Sequence, residues 1–223
     1  IVNGLVGSEM CIRDRINGVQ KFQLTDHTKK RSYKFSTNLS GRHNLYNVTA
    51  AICVAIEENI SVKNISRGLL DFQGVGRRFE LSKLYFKDQP YELIDDYGHH
   101  PAEILSTILA TKEKFPRQKF CMIFEPHRFT RTQQLFEDFV KVLSTVDFLL
   151  LLDIYPASEK PIKGITTKKL AAQILKNNKN VHYIGSRDPM EWLQENYNDF
   201  SIVITQGAGT ISRLNNEIKK KWQ

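Results

Sequence analysis

The sequence has no apolar run approaching the roughly 18 residues that a membrane-crossing helix needs. Its start, Ile1 to Arg15, lacks the basic opening and apolar centre of a signal peptide. No membrane partner is expected, and the cytoplasm is the default location. Cysteine is scarce: Cys11, Cys53 and Cys121 are odd in number and far apart. That excludes a disulfide framework and zinc-ligand spacing, and Cys53 and Cys121, set in apolar runs, read as buried thiols in a reducing compartment. Repeats and low-complexity tracts are absent. Basic residues outnumber acidic ones, 32 to 24, for a net charge of +8, which favours an anionic partner. Only Lys29-Lys30-Arg31 and Lys219-Lys220-Lys221 cluster, however, and no nucleic-acid motif appears. Solvated faces and a phosphorylated small molecule are expected in place of nucleic acid.

What is present is an ordinary globular composition, 41% hydrophobic and 25% charged, over 223 residues. That length can bury one large core or two small ones. The chemistry gathers at Asp95-Asp96-Tyr97-Gly98-His99-His100-Pro101, between the apolar run Tyr91 to Ile94 and a helix that Pro101 would open. Three more turns repeat the layout. Phe120 to Phe124 leads into Glu125-Pro126-His127-Arg128-Phe129-Thr130-Arg131, Phe148 to Leu152 into Asp153-Ile154-Tyr155-Pro156-Ala157-Ser158-Glu159, and Ile202 to Thr205 into Gln206-Gly207-Ala208-Gly209. Strands near 92, 121, 149, 182 and 203 alternate with helices over 101–115, 130–145, 166–177, 188–197 and 210–222. The pattern predicts an α/β fold with a mostly parallel, doubly wound sheet, whose ligands collect outside the carboxyl ends of the strands.

Upstream, residues 1–15 show no steady period and are expected to be a poorly ordered or extraneous leader. The lack of an initial Met suggests a piece of something longer. Val19 to Leu24 and Ser32 to Phe35 read as an antiparallel pair closed by the turn at Asp26 to Lys30. Gly41 to Asn47 opens a helix with an apolar stripe at Leu45, Val48, Ile52, Ala55 and Ile56. Asn44 and Asn47 on its first turn can meet the edge of a purine, or can serve as a helix cap and a solvated side chain. Ser61 would cap a second helix ending near Asp71. Phe72 to Glu80, with Gly74, Gly76, Arg77 and Arg78, is either a hinge with arginines placed for an anion or a plain surface turn.

Taken in order and spacing, the blocks Gly41 to Asn47, Phe72 to Phe79, Asp95 to Pro101, Pro126 to Thr132, Tyr155-Pro156-Ala157 and Gln206 to Gly209 closely resemble the UDP-N-acetylmuramate:L-alanine ligases, Mur ligases of bacterial cell-wall synthesis. A sister family that attaches a recycled peptide to the same sugar is similar in plan, but His-Arg-x-x-Arg at 127–131 looks like the alanine-adding branch. The resemblance covers roughly residues 16–223. It implies that 16–76 is the tail of a central ATP-binding domain and 77–223 a Rossmann-like carboxyl-terminal domain. It also implies an enzyme that activates the sugar carboxylate with ATP and magnesium as an acyl phosphate, then lets alanine displace phosphate. Asn44, Asn47, Arg77, Arg78 and Asp96 would serve ATP. Tyr97, His99, His127, Arg128 and Arg131 would frame alanine and the acyl phosphate, and no residue of this chain is assigned to metal.

That chemistry suits the residue types. Charge develops on a transferring phosphoryl group and on a tetrahedral oxyanion, and fixed cations stabilise both. Arg128 and Arg131, three apart at a helix start, are expected to face the same way and grip a carboxylate. The imidazoles of His99 and His127 can handle the protons of an amine, although a turn histidine often only bonds backbone. A phosphate-binding loop ending Gly-Lys-Thr is absent, as is the sugar-nucleotide domain, so the chain alone is expected to be inert. Gly207-Ala208-Gly209 resembles a dinucleotide fingerprint, but Ser212 occupies the third glycine position and no ribose-binding acid follows in the right context. Those glycines are expected to permit a tight turn instead. Two further readings stay open: a non-catalytic Rossmann-like module for an anionic metabolite or partner, and a nicotinamide enzyme using the 207–209 turn.

Overall fold

The computed structural model describes residues 8–16, as backbone, and 19–222. The chain divides into two compact units between Val75 and Gly76.

In the first unit, β1 (Ser8–Ile16), β2 (Val19–Asp26) and β3 (Arg31–Thr37) form an antiparallel sheet in that order. The leader expected over 1–15 is therefore a strand from Ser8 onward, and residues 1–7 lie outside the described residues. Its period is hard to read because the pairing with β2 shifts between Ile12 and Asp14. The hairpin expectation holds: Phe22 pairs with Phe35, and Asp26 Oδ1 accepts the N–H groups of Thr28 and Lys29 in the turn. Helices α1 (Arg42–Glu57) and α2 (Val62–Asp71) follow, the second capped by Ser61 Oγ, which accepts the Asn64 N–H. Leu45, Val48 and Ile52 of the stripe pack with Phe22, Leu24, Phe35 and Ile65 into one core.

The second unit holds a six-stranded sheet in the order β4-β5-β9-β6-β7-β8. Its strands are β4 (Glu80–Phe86), β5 (Gln89–Asp96), β6 (Phe120–Phe124), β7 (Phe148–Leu152), β8 (Val181–Gly185) and β9 (Ile202–Gln206). Only β4 runs antiparallel to its neighbour. It was not legible because its turn with β5, Lys87-Asp88, takes positive φ at both residues without the usual Asn or Gly. The helices are α3 (Pro101–Lys114), α4 (Phe129–Gln134), α5 (Phe136–Leu143), α6 (Thr167–Ile174), α7 (Pro189–Glu195) and α8 (Ile211–Lys221). The single helix expected over 130–145 is two, broken where Leu135 leaves helical geometry (φ −111, ψ 23).

Continuous apolar strands are explained by burial on both faces. Phe120, Met122 and Phe124 of β6 join the core under α3, α5 and α6, whereas Cys121 and Ile123 join the core under α7 and α8. Each of these large side chains contributes about 1.5–3 kcal/mol by leaving water. The chain winds outward through β5, β6, β7 and β8, then returns across the other face to insert β9 between β5 and β6. That insertion reverses the winding at the carboxyl ends of β5, β9 and β6, where open α/β sheets place their ligands.

Candidate active site

Parallel register aligns the ends of these strands: Asp96 and Phe124 both stand opposite Gln206. The turns that follow therefore leave the sheet side by side, and their rings form a row. Tyr97 meets His99 edge-on with centroids 5.5 Å apart, His99 lies 5.5 Å from His127, and His127 stacks on Tyr155 at 5.3 Å. The guanidinium groups of Arg77 and Arg78 lie over the Tyr97 ring at 5.2 and 5.5 Å from its centroid.

Backbone pairing holds the row in place. Tyr155 N–H donates to the Pro126 carbonyl and Arg128 N–H to the Tyr155 carbonyl, each at 2.8 Å. Arg131 Nη1 donates to His127 Nδ1 at 3.2 Å and to its carbonyl at 3.0 Å. Burial first, then the charges of Arg131, His99 and Arg128, lower the His127 pKa below its usual value, against a weaker opposing pull from Glu159. His127 is therefore neutral at neutral pH.

Arg128 corrects one expectation. It caps α4 with φ 75 and is not helical, so the three-residue spacing does not set both guanidinium groups on one helix face. Arg128 points to Glu159, with Nη1 to Oε1 at 3.8 Å, while Arg131 folds back onto His127. They still flank the same turn, and Arg128 is half-exposed.

The residues linked to ATP are less alike. Arg77 Nε pairs with buried Asp95 at 3.2 Å and its Nη2 donates to the Gly207 carbonyl at 2.6 Å, pinning β5 to the 207 turn. Burial raises the Asp95 pKa even though Arg77 and the Thr205 hydroxyl oppose it. Asp96 is buried and accepts from the N–H groups of Phe79 and Gly98 and from Gln206 Nε2. Arg78 is exposed. In the first unit, Asn44 is buried and donates to the Ser40 carbonyl, whereas Asn47 is exposed.

Gly207 (φ 147) and Gly209 make the tight turn expected of them. A Cβ on Gly207 would lie 2.8 Å from the Glu125 carbonyl, and one on Gly209 would collide with Glu125 Oε2 and come within 2.6 Å of the Tyr155 ring. Residues 77–209 match the family profile described as Mur ligase, glutamate ligase domain. The chain belongs to the Mur ligase family. A UDP-N-acetylmuramate–L-alanine ligase of Psychrobacter arcticus is 43% identical over 183 residues, 81% of this chain and 38% of that protein. The chain thus spans less than half the length of that relative. Among solved structures, a UDP-N-acetylmuramate–alanine ligase of Thermotoga maritima has a TM-score of 0.77 at 22% identity, covering 96% of this chain and 45% of that one. A MurF ligase of the same organism, solved with ADP, has a TM-score of 0.65 at 17% identity, covering 95% and 46%. Both likenesses concern the fold.

Several residues that hold this Mur ligase rim were given no role by the sequence reading. Buried Glu125 accepts from the Thr210 hydroxyl at 2.6 Å and the Ile211 N–H at 3.1 Å, closing the start of α8. Glu103 accepts the N–H groups of His99 and His100 in a capping box; burial pushes its pKa up, but these bonds together with the neighbouring His99 and Arg78 lower it overall. A glutamate at the third helical position was its available signal. Glu159 accepts the hydroxyl and N–H of Thr130, and those bonds lower its pKa. Nothing local marks a partner 29 residues away. Among the described residues, no helix is long and apolar enough to cross a membrane.

Proposed function

We propose that this chain is the amine-accepting part of a cytoplasmic ATP-dependent ligase that joins L-alanine to UDP-N-acetylmuramate in peptidoglycan synthesis. The observation that carries the reading is the convergence of His99, His127 and Arg131 at one rim of the sheet, with Arg128 beside them. The alanine carboxylate is assigned to Arg128 and to the Arg131 N–H groups not used on His127. Its ammonium then faces the imidazole pair, one of which takes up the proton that must leave before nitrogen can attack. The same cations offset charge on the oxyanion as the amide forms. ATP supplies the phosphoryl group that activates the sugar carboxylate as an acyl phosphate. In the second unit Arg78 keeps an exposed cation suited to that nucleotide, while Arg77 and Asp96 act by holding the turns at 207 and at 79–98. Among the described residues no group of three His, Cys, Asp or Glu side chains is placed to hold a metal, so none is assigned to magnesium and no step runs through it.

Titrating L-alanine into the isotope-labelled chain with ATP present should move the side-chain signals of Arg128, Arg131 and His99, and the double variant Arg128→Ala/Arg131→Ala should abolish the response. No response at about 10 mM L-alanine, well above a millimolar Kd, would sink the proposal.

A further inference from the structure

The two imidazoles do not have the same partners. His127 Nδ1 faces Arg131 Nη1 at 3.2 Å, and a guanidinium can only donate. Nδ1 of His127 must therefore carry the lone pair, which puts the proton of the neutral ring on Nε2. His99 Nδ1 lies 3.2 Å from the Tyr97 carbonyl oxygen, which can only accept. That nitrogen must carry the proton, leaving Nε2 bare.

We infer that the rim holds its two histidines in opposite tautomers, with His99 Nε2 as the proton acceptor and His127 Nε2–H as a hydrogen-bond donor. The inference rests on the alanine-ligase reading for its substrate and on the contacts alone for its tautomers. The groups facing each ring reinforce the division. Around His99 stand Tyr97, Glu103 and His127, and Glu103 Oε2 lies 3.9 Å from Nδ1, so a negative charge waits beside the imidazolium that forms. Around His127 stand Tyr155, Arg131, Arg128, His99 and Glu159, a mostly cationic set that opposes a second proton. In the step itself, one N–H bond of the alanine ammonium breaks and its proton forms the His99 Nε2–H bond. The freed lone pair is then available to attack the activated carboxylate. His127 keeps its own proton and donates that N–H to the developing oxyanion. Arg131 is a positioning residue in this scheme: it sets which nitrogen of His127 is free, as the Tyr97 carbonyl does for His99, while Glu103 offsets the charge that forms on His99.

Long-range nitrogen–proton correlation spectra of the full 223-residue chain with labelled histidine, recorded above pH 7, read the tautomers directly. The expected result is an Nδ1–H pattern for His99 and an Nε2–H pattern for His127. Arg131→Leu should release His127 to a mixture or to the Nδ1–H form and leave His99 unchanged. Arg131→Lys, another donor-only side chain, should restore the original pattern, which a merely structural role for Arg131 would not require. Finding the same tautomer at both rings, or the reverse pair, overturns the inference whatever the chain binds. If the tautomers are as assigned but L-alanine leaves the His99 Nε2 signal unmoved, the proton-acceptor role falls, and the substrate reading falls with it only if Arg128 and Arg131 are silent too.

Discussion

The phenol ring of Tyr155 lies 5.3 Å from the imidazole of His127, with the two planes 27° apart. An aromatic pair of this kind is worth about 0.5–1.5 kcal/mol beyond its buried area, and here it fixes the ring that Arg131 orients. Tyr155→Ala should weaken L-alanine binding by up to about tenfold, while Tyr155→Phe, which keeps the stack, should bind as the parent does. Calorimetric titration of the two variants makes the comparison.

Gly209 sits where a methyl group has nowhere to go, against Glu125 Oε2 and the Tyr155 ring. Gly209→Ala must push one of them aside and should lower stability by about 1–3 kcal/mol. Gly164→Ala meets no atom within 4 Å, although its positive φ adds backbone strain of its own. Urea unfolding of both separates collision from strain: Gly209→Ala should also disturb the Tyr155 ring signals, and Gly164→Ala should not.

Asp95 is only 6% exposed at its side chain and depends on Arg77 for its cation. Arg77→Leu leaves that carboxylate buried without its partner and should cost about 3 kcal/mol in chemical unfolding. It should also raise the Asp95 pKa further, because Arg77 is the main group opposing burial there. Arg77→Leu/Asp95→Asn should recover part of the loss.

The lowered His127 pKa has a pH signature. Its usual value is 6.5, so below that pH the unfolded chain binds a proton that the folded chain resists. Stability from this group is complete above 6.5 and is lost as pH falls through the folded-state value. His182, whose pKa burial also lowers, acts in the same direction. Melting temperature should therefore fall between about pH 7.5 and pH 5.5. His127→Gln should flatten part of that slope and leave the share due to His182.

Much of this was legible in the residues alone. Runs such as Phe120 to Phe124 and Phe148 to Leu152 have no polar face, so they had to be strands covered on both sides. The polar residues that end them had to gather on one edge of a parallel sheet. Periodicity is local, and so is what it determines: where strands begin and stop, which turn carries Tyr97 and His99, and which carries His127, Arg128 and Arg131. The tertiary structure decided the rest. Inserting β9 between β5 and β6 set Gln206 beside Asp96 and turned that carboxylate inward to the Phe79 and Gly98 amides, while Arg77 was drawn onto Asp95 and Gly207. Tertiary packing also supplied Glu159 to Arg128, whereas the partners of the two imidazoles lie only two and four residues away. Arg77, Asp96 and Arg128 take their directions from neighbours that strand pairing brings from far along the chain, and no period in the sequence encodes them.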